Sequence, residues 1–302
     1  MIQPIQLIID TDPGVDDAIA ILMAMASSEI EILGLTTVGG NVPLARATRN
    51  ALSLLQAASR SDIPVAKGAS RPLRGKFAYA PRFHGPGGLS QRLPDPANGP
   101  VEDGAVKFLY DQLTGERGEA VLVALGPLTN LAVLLREHPN ALEQAKQIVV
   151  MGGAVNTPGN VTPEAEFNFY CDPVAADIVL SSRLPITMVD LADCRQVKIN
   201  REQALGLKSA TPLGRLMLDM LQGWFHREPS REEFEFCDPL AMAIALHPAI
   251  ATATKVDLDV GIEKDELLGA TSETGGPGEI TLAQDVDSSR FFALFGRLFE
   301  LR

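Results

Sequence analysis

The sequence has little cysteine, and none of it at the spacing of a metal or disulfide framework. Its 302 residues include three cysteines, Cys171, Cys194 and Cys237. An odd number of widely spaced cysteines does not suggest a disulfide scaffold, and the absence of a CxxC pair argues against a zinc site made of thiolates. A chain of this length can bury a large hydrophobic core without cross-links.

An excess of positive charge is also missing. Lys and Arg number 26 against 38 Asp and Glu, which gives a formal net charge of −12. An acidic surface repels the phosphates of nucleic acids and anionic lipids, so we expect neither a nucleic-acid polymer nor a membrane as partner. The charge is compatible with a small neutral ligand.

Long uninterrupted hydrophobic runs are absent as well. The longest uncharged run, residues 120–135, contains Gly126, Pro127 and Asn130, which indicate a strand, a turn and a helix start and not a membrane span. The N-terminus lacks the basic and apolar segments of a signal peptide. We therefore expect a cytoplasmic protein.

Short apolar runs do alternate with helical patterns along the chain. Continuous apolar strands separated by helices predict an α/β fold, Rossmann-like, with a mostly parallel central sheet and helices on both faces. Because no linker, repeat or low-complexity stretch interrupts the pattern, we expect a single large domain over residues 1–302. The predicted strands are residues 5–9, 32–38, 120–124, 147–151 and 185–189, and the predicted helices are 17–26, 44–58 and 128–136.

One segment does not fit this alternation. Residues 81–100 are rich in glycine and proline, and they form a connection longer than is usual in a packed domain. The segment is therefore either a lid or a disordered loop. Ligands of open α/β sheets bind at the carboxyl ends of the strands, where such a lid would be useful.

Four aspartates lie within eight residues directly after the first apolar run: Asp10, Asp12, Asp16 and Asp17. Mutual repulsion makes this cluster costly unless a cation compensates it. Oxygen ligands favour a hard cation, calcium or magnesium. Helix capping by Asp17 and a turn at 12–14 would explain one or two of these aspartates but not four.

Three further segments carry polar groups in suggestive positions, each with a plain structural alternative. Residues 126–130 follow a strand and can be only a turn and a helix start. Residues 160–168 hold two amides and two carboxylates, which suit sugar hydroxyls or a solvated loop equally well. Asp238-Pro239 has the form of a helix N-cap followed by proline, as does Asp172-Pro173, where capping is a sufficient explanation.

Taken together, these segments resemble the inosine-uridine-preferring nucleoside hydrolase family. The family's opening motif DTDPGxDDA is matched in full at residues 10–18. The resemblance covers nearly the whole chain, and its other matching segments are residues 36–41, 84–85, 127–130, 151–153, 160–168, 238–239 and 285–287.

The resemblance implies a calcium-dependent enzyme that hydrolyses the N-glycosidic bond of ribonucleosides, purine or pyrimidine, to ribose and free base. Water held by the calcium would lose its proton to Asp12, the general base. A role in nucleoside salvage and a homodimer or homotetramer are also implied. The implied metal ligands are the carboxylates of Asp12, Asp17 and Asp238 and the backbone carbonyl of Thr129. The implied substrate contacts are Asp16, Asn41, Met151, Asn160, Glu166, Phe167, Asn168 and Cys237.

The chain departs from the best-known members of the family at Cys237, where they carry a histidine that takes part in protonating the leaving base. Other members have cysteine there too, so the departure concerns the acid and not the metal site. Beside carboxylates the thiol is expected to stay neutral. The remaining candidates for the acid are His84, on the irregular segment, His226, beside the single tryptophan Trp224, and water.

Two other functions are consistent with part of this pattern. Haloacid-dehalogenase-like, magnesium-dependent phosphohydrolases also place two aspartates one residue apart after a first strand, but they need Thr or Val where this chain has Gly14, and they leave Asp16-Asp17 unexplained. A catalytically silent nucleoside- or sugar-binding protein is the other alternative. Loss of a motif aspartate would have favoured it, and all of them are present.

Overall fold

The strands assemble into one large sheet and two small antiparallel pairs. The computed structural model describes residues 3–115, 119–276 and 278–302. Eight strands in these ranges form the central sheet in the order β3-β2-β1-β4-β5-β6-β12-β9, parallel throughout except for β9. The pairs β7–β8 and β10–β11 are antiparallel. The strands are β1 Ile5–Thr11, β2 Ile30–Thr37, β3 Val65–Lys67, β4 Val121–Ala124, β5 Gln147–Met151, β6 Ile186–Val189, β7 Lys198–Asn200, β8 Glu233–Glu235, β9 Thr252–Val256, β10 Leu258–Val260, β11 Thr271–Glu273 and β12 Ile280–Gln284.

Helices cover both faces of the central sheet. Leu7 and Ile9 of β1 belong to one hydrophobic cluster, and Ile8 between them belongs to another. Successive side chains of a strand point to opposite faces, so the two clusters are the two sides of a doubly covered sheet. The helices are α1 Val15–Ala26, α2 Leu44–Ala57, α3 Pro81–His84, α4 Ala105–Thr114, α5 Thr129–Glu137, α6 Phe167–Cys171, α7 Pro173–Leu180, α8 Leu191–Cys194, α9 Arg201–Gly206, α10 Pro212–Arg227, α11 Cys237–Leu246 and α12 Ser288–Phe299.

The predicted α/β architecture, a mostly parallel sheet between helices, is confirmed. One difference from the predicted strands is at β1, which continues through Asp10 and Thr11 and pairs there with Thr36 and Thr37 of β2. These polar residues are tolerated in a buried strand because Asp10 Oδ1 accepts hydrogen bonds from Thr36 Oγ1 (2.5 Å) and Asn130 Nδ2 (2.7 Å). Among the described helices, none combines the length and the hydropathy that crossing a bilayer requires.

The two Asp-Pro signals have different outcomes. Asp172 is the N-cap of α7, and Pro173 follows at the first helical position, as predicted. The capping interpretation of Asp238 is wrong: α11 begins at Cys237, Phe236 is its N-cap, and Asp238 lies inside the first turn. The side chain of Asp238 is therefore not used to close the end of its own helix.

Candidate active site

The polar segments of the sequence meet in one cavity at the carboxyl edge of the sheet. The strands β1, β2, β4 and β5 are parallel neighbours, so the residues that follow them converge. The cavity there has a volume of about 640 Å³, within the range of small-molecule sites. The predicted residues that line it are Asp16, Asn41, His84, Met151, Asn160, Glu166, Phe167, Asn168, Cys237 and Asp238.

The carboxylate of Asp17 is held by four donors. Its Oδ1 accepts from Thr11 Oγ1 (2.5 Å) and the Asp12 backbone N–H (3.2 Å). Its Oδ2 accepts from the Gly14 N–H (2.9 Å), at the start of α1, and from Asn41 Nδ2 (3.1 Å). The motif therefore folds back so that Asp17 ties together the end of β1, the start of α1 and the loop after β2.

The carboxylate of Asp12 is closely surrounded by the protein, and one of its oxygens has no hydrogen-bond partner among the described residues. Its Oδ2 accepts from the Asn41 backbone N–H (2.5 Å), whereas no hydrogen bond in the described part of the chain reaches its buried Oδ1. A Cβ on Gly40 or on Gly126 would collide with this carboxylate, so only glycine allows the close approach. A buried carboxylate oxygen that accepts no hydrogen bond is available to bind a cation.

Three more carboxylates meet beside Asp12. Oxygens of Asp16, Asp17 and Asp238 all lie within 4.8 Å of one another. Burial raises the pKa of Asp16 to about 6. It also raises the pKa of Asp238, and repulsion from Asp16 and Asp17 adds to the effect. Only oxygen donors are offered, and their crowded charge calls for compensation, so the residues fit a hard divalent cation.

The predicted metal ligands and the observed cluster overlap without being identical. Asp17 and Asp238 belong to both sets, and Asp16, predicted as a ribose contact, joins them in the structure. Asp12, Asp17 and Thr129 are buried and do not line the cavity itself. The hydroxyl of Thr129 donates to Asp172 Oδ2 (2.7 Å), so its side chain is turned to a structural partner.

Glu166 and Asn168 also line the cavity, and hydrogen bonds to the backbone fix their side chains. Glu166 caps α6, and its Oε2 accepts from the N–H groups of Gly153 (3.2 Å), Asn168 (2.8 Å) and Phe169 (3.1 Å). Burial nevertheless raises the pKa of Glu166 to about 7. Asn168 Nδ2 donates to the carbonyls of Leu125 (2.8 Å) and Met151 (3.2 Å), which leaves its amide oxygen to accept a ligand hydroxyl.

His84 is buried at the end of α3 with its tautomer defined by the backbone. Its Nδ1 accepts from the Val15 N–H (3.1 Å), so in the neutral ring the proton is on Nε2. Burial, assisted by the positive charges of Arg227 and Arg231, lowers the pKa of His84 to about 4 against the opposing effect of Asp17. The ring is therefore neutral at pH 7 and offers a hydrogen-bond donor at Nε2.

Cys237 lines the cavity as a neutral thiol. The Cys194 thiol donates to it and lowers its pKa, but burial and the nearby carboxylates of Asp16 and Glu235 raise the pKa more. The structure thus gives the thiol the same protonation state that the sequence predicted.

The second candidate acid, His226, is exposed and is not among the residues that line the cavity. The neighbouring Trp224 is buried in the core near the C-terminal end of α10. The sequence left open whether His226 is an exposed helix residue. The structure brings it near neither the carboxylates nor the amides.

Several residues of the cavity wall were not singled out from the sequence. Tyr79, Arg82 and Phe83 lie on or beside α3, so part of the irregular segment 81–100 does border the cavity. Glu233 and Glu235 reach the wall from β8, a three-residue strand whose partner, β7, is more than 30 residues away in the sequence. No local pattern marks such residues, because their position depends on that long-range pairing.

Comparisons with known proteins agree with this geometry. The chain is similar to uridine nucleosidase 1 of Arabidopsis thaliana, with 41% identity over 83% of this chain and 76% of that protein. It is 36% identical to the pyrimidine-specific ribonucleoside hydrolase RihA of Shewanella woodyi over 97% of each chain. Among solved structures, a plant nucleoside hydrolase superposes with a TM-score of 0.89 at 33% identity over 98% of this chain and 99% of its own.

A purine-preferring ribonucleoside hydrolase from Gardnerella vaginalis also superposes, with a TM-score of 0.87 at 30% identity over 97% of this chain and 98% of its own. The model of the inosine-uridine preferring nucleoside hydrolases matches residues 7–293. This match leaves no room for the phosphohydrolase alternative. The chain belongs to the inosine-uridine preferring nucleoside hydrolase family and is an N-ribohydrolase, an enzyme that hydrolyses the N-glycosidic bond of ribonucleosides.

Proposed function

We propose that this enzyme is a calcium-dependent hydrolase of pyrimidine ribonucleosides, with uridine as the preferred substrate. The observation that carries the proposal is the shared cavity wall, where a cluster of buried carboxylates faces amide and carboxylate groups suited to a ribose. The pyrimidine preference is supported by the relatives named above, a uridine nucleosidase and a pyrimidine-specific hydrolase.

The residues that would hold calcium are the carboxylates of Asp12, Asp17 and Asp238 and the carbonyl of Thr129. Asp16 lines the cavity with 14% of its side chain exposed, so it would accept a hydrogen bond from a ribose hydroxyl at the edge of the same cluster. A bound calcium ion supplies positive charge, which orients the 2′ and 3′ hydroxyls and acidifies water.

Asp12 would be the general base. Its Oδ1, which accepts no hydrogen bond from the described residues, would contact the calcium ion and the attacking water beside it, and would take the proton from that water. In the metal-free protein, burial and repulsion from Asp17 raise the pKa of Asp12 above its usual value, and the charge of a bound cation would oppose that rise. The Asn41 N–H holds the other oxygen and so fixes the direction of the carboxylate.

The opposite wall would bind the sugar. Cleavage of the N-glycosidic bond develops positive charge on the ribose ring, and oxygen dipoles placed in advance stabilise that charge. Asn168 presents its amide oxygen because its nitrogen is already committed to the Leu125 and Met151 carbonyls. Asn41, Asn160 and Glu166 would bind the remaining hydroxyls.

At the base end, His84 would donate a hydrogen bond from Nε2 to the departing base. The rings of Phe83 and Phe167 and the neutral thiol of Cys237 would surround that base. His226 has no part in this proposal, because it is exposed. Cytoplasmic salvage and a homodimer or homotetramer remain predictions from the family resemblance.

The proposal is tested with a panel of nucleosides assayed by released reducing sugar, with calcium and after chelation. We expect uridine to be the best substrate, and deoxyuridine to be poorer by about 10⁴-fold because buried groups would lose the 2′ hydroxyl that they bind. Asp12→Asn should lose turnover and bind calcium more weakly, because a neutral amide replaces a charged ligand. Comparable kcat/KM for uridine and deoxyuridine, or full activity after chelation, would contradict the proposal.

A further inference from the structure

Two arginines at the end of α10 hold the segment that carries His84. Arg227 is the last residue of α10, and its guanidinium donates to the carbonyls of His84 and, at 3.0 Å, of Leu89. Arg231 follows four residues later and donates from one nitrogen to the carbonyls of Arg82 (2.7 Å) and Phe83 (2.8 Å). The carbonyls of three consecutive residues, 82 to 84, are thus bound by arginine.

These contacts are unusual for arginine because backbone carbonyls, not carboxylates, take the hydrogen bonds. Within the described residues neither Arg227 nor Arg231 forms a salt bridge, although the chain is rich in acidic side chains. Both side chains are half-buried, and burial lowers the pKa of each; for Arg231, repulsion from Arg227 adds to the effect and the charge of Glu228 opposes it. A charge that is desolvated for neutral partners costs stability unless the contact serves another purpose.

A stack of rings joins the same two elements. The Arg231 guanidinium lies 4.0 Å from the centre of the Trp224 ring and 5.9 Å from that of Phe83. The Phe83 ring packs against Trp224 at 5.2 Å and edge-on against His84 at 4.7 Å. Trp224 is buried in α10, so the stack connects the rigid helix to the turn that ends in His84.

We propose that Arg227 and Arg231 are positioning residues that hold α3 in place, so that the Nε2–H of His84 faces the leaving base. Neither arginine lines the active-site cavity, so both act through His84. His84 is then held at two points. The Val15 N–H donates to the Nδ1 of its ring, and Arg227 donates to its backbone carbonyl. The inference rests on the proposed role of His84 as hydrogen-bond donor.

The first test compares substrates that differ in the help their leaving group needs. Uridine requires a donor at the departing base, whereas p-nitrophenyl riboside has a leaving group that departs unaided. Arg231→Met keeps the length of the side chain and removes its donors. We expect kcat/KM for uridine to fall by about 10- to 100-fold, somewhat less than the full value of an acid catalyst, and kcat/KM for p-nitrophenyl riboside to change little.

Four further variants make the result specific. His84→Ala should show the same substrate discrimination, and adding Arg231→Met to it should cause no further loss, since the arginine acts through the histidine. Arg231→Lys, which keeps the charge and part of the donation, should fall between wild type and Arg231→Met. Arg215→Met is the matched control, because Arg215 also lies on α10 and donates to a backbone carbonyl, that of Ala210, away from the cavity.

The second test does not depend on turnover. Trp224 is the only tryptophan and is 3% exposed beneath Arg231, so quenching of its fluorescence by acrylamide reports whether the stack is intact. Quenching should increase in Arg231→Met and stay at the wild-type level in Arg215→Met. If the enzyme hydrolysed no nucleoside, the proposed function would be wrong. The quenching measurement would still test whether Arg231 holds α3 against α10. Unchanged quenching in Arg231→Met, equal losses on both substrates, or additive losses in the double variant would overturn the inference.

Discussion

Two Asp-Pro pairs precede apolar helices in this chain, and folding gives them opposite environments. Asp172 caps α7 and is fully hydrogen-bonded: its carboxylate accepts from the Ala175 N–H (3.2 Å), the Leu73 N–H (2.8 Å) and the Thr129 hydroxyl (2.7 Å). No hydrogen bond in the described part of the chain reaches the carboxylate of Asp238, and its nearest charged neighbours are Asp16 and Asp17.

The difference shows how to recognise a functional aspartate in a buried setting. Asp172 stabilises the fold, because each donor it accepts would otherwise be unpaired. Asp238 destabilises the fold of the metal-free protein, because its charge is buried among like charges. A buried aspartate among like charges, such as Asp238, is retained in an enzyme only if a ligand supplies the compensating positive charge. The following predictions compare the two aspartates directly.

The largest effect is expected on catalysis. Asp238→Asn should lower kcat/KM for uridine by about 10²- to 10³-fold, the usual effect of removing one preorganised electrostatic contact. The melting temperature in chelator should stay constant or rise, because one of three crowded carboxylates becomes neutral. Steady-state kinetics and calorimetry measure both quantities. Near-normal activity in Asp238→Asn would remove the functional half of the comparison.

The second effect concerns calcium and stability. At a concentration of 100 times its Kd, calcium should stabilise the wild-type protein by about 2.7 kcal/mol through mass action. The resulting rise in melting temperature should disappear in Asp238→Asn and persist in Asp172→Asn. Differential scanning fluorimetry with and without calcium makes the measurement, and magnesium serves as the control cation. An equal rise in both variants would show that Asp238 does not bind the ion.

A smaller effect is expected at the capping residue. Asp172→Asn replaces one acceptor oxygen by a donor, so either the Ala175 N–H at Oδ1 or the Leu73 N–H and Thr129 hydroxyl, which share Oδ2, lose their acceptor. The free energy of unfolding should fall by about 1–2 kcal/mol, the cost of one unsatisfied buried group. Urea denaturation in chelator measures it, and Asp238→Asn under the same conditions is the matched control. A destabilised Asp238→Asn beside a normal Asp172→Asn would reverse the comparison.

The last prediction concerns a buried aspartate outside the active site. Asp193 is buried, with an Oδ2 that lacks a partner among the described residues, and it lies outside the acidic cluster of the cavity. Burial, and then repulsion from Asp190, raises its pKa to about 8. The folded state therefore binds this proton more tightly than the unfolded state, so the stability that the proton contributes is present at pH 4 and is lost as the pH rises toward 8.

Asp193→Asn removes this dependence. Relative to wild type, the variant should gain stability between pH 5 and pH 8, by at most about 1.4 kcal/mol for each pH unit. Urea denaturation at the two pH values measures the gain, and calcium should not alter it. The same stability difference at both pH values would show that Asp193 ionises normally in the folded protein.

Much of the fold was predictable from local pattern. The strand at Gln147–Met151 has the predicted bounds, and α2 ends within one residue of its prediction, because apolar periodicity and strand burial are local properties. The extension of β1 through Asp10 was not predictable, because one donor to its Oδ1 is Asn130, 120 residues away. The three-residue strands β7 and β8 were missed for a similar reason: their pairing is long-range.

The active site divides along the same line. The motif at residues 10–18 indicated a carboxylate cluster because four aspartates stand close together in the sequence itself. His84 and His226 had equal claims as donors, and only packing separates them: His84 is buried with its tautomer set by the Val15 N–H, and His226 is exposed. Asp16 was predicted at the sugar, and its proximity to Asp238 depends on how α1 and α11 pack.

The sequence by itself determined the alternation of strands and helices and the supply of carboxylates after β1. Periodicity, backbone conformation and short-range charge density are properties of neighbours along the chain. Only the tertiary structure decided which of two identical Asp-Pro pairs became a cap and which became part of the acidic cluster. A hydrogen-bond partner, a buried like charge and a raised pKa are all set by residues that are distant in the sequence and meet only when the sheet and its helices pack.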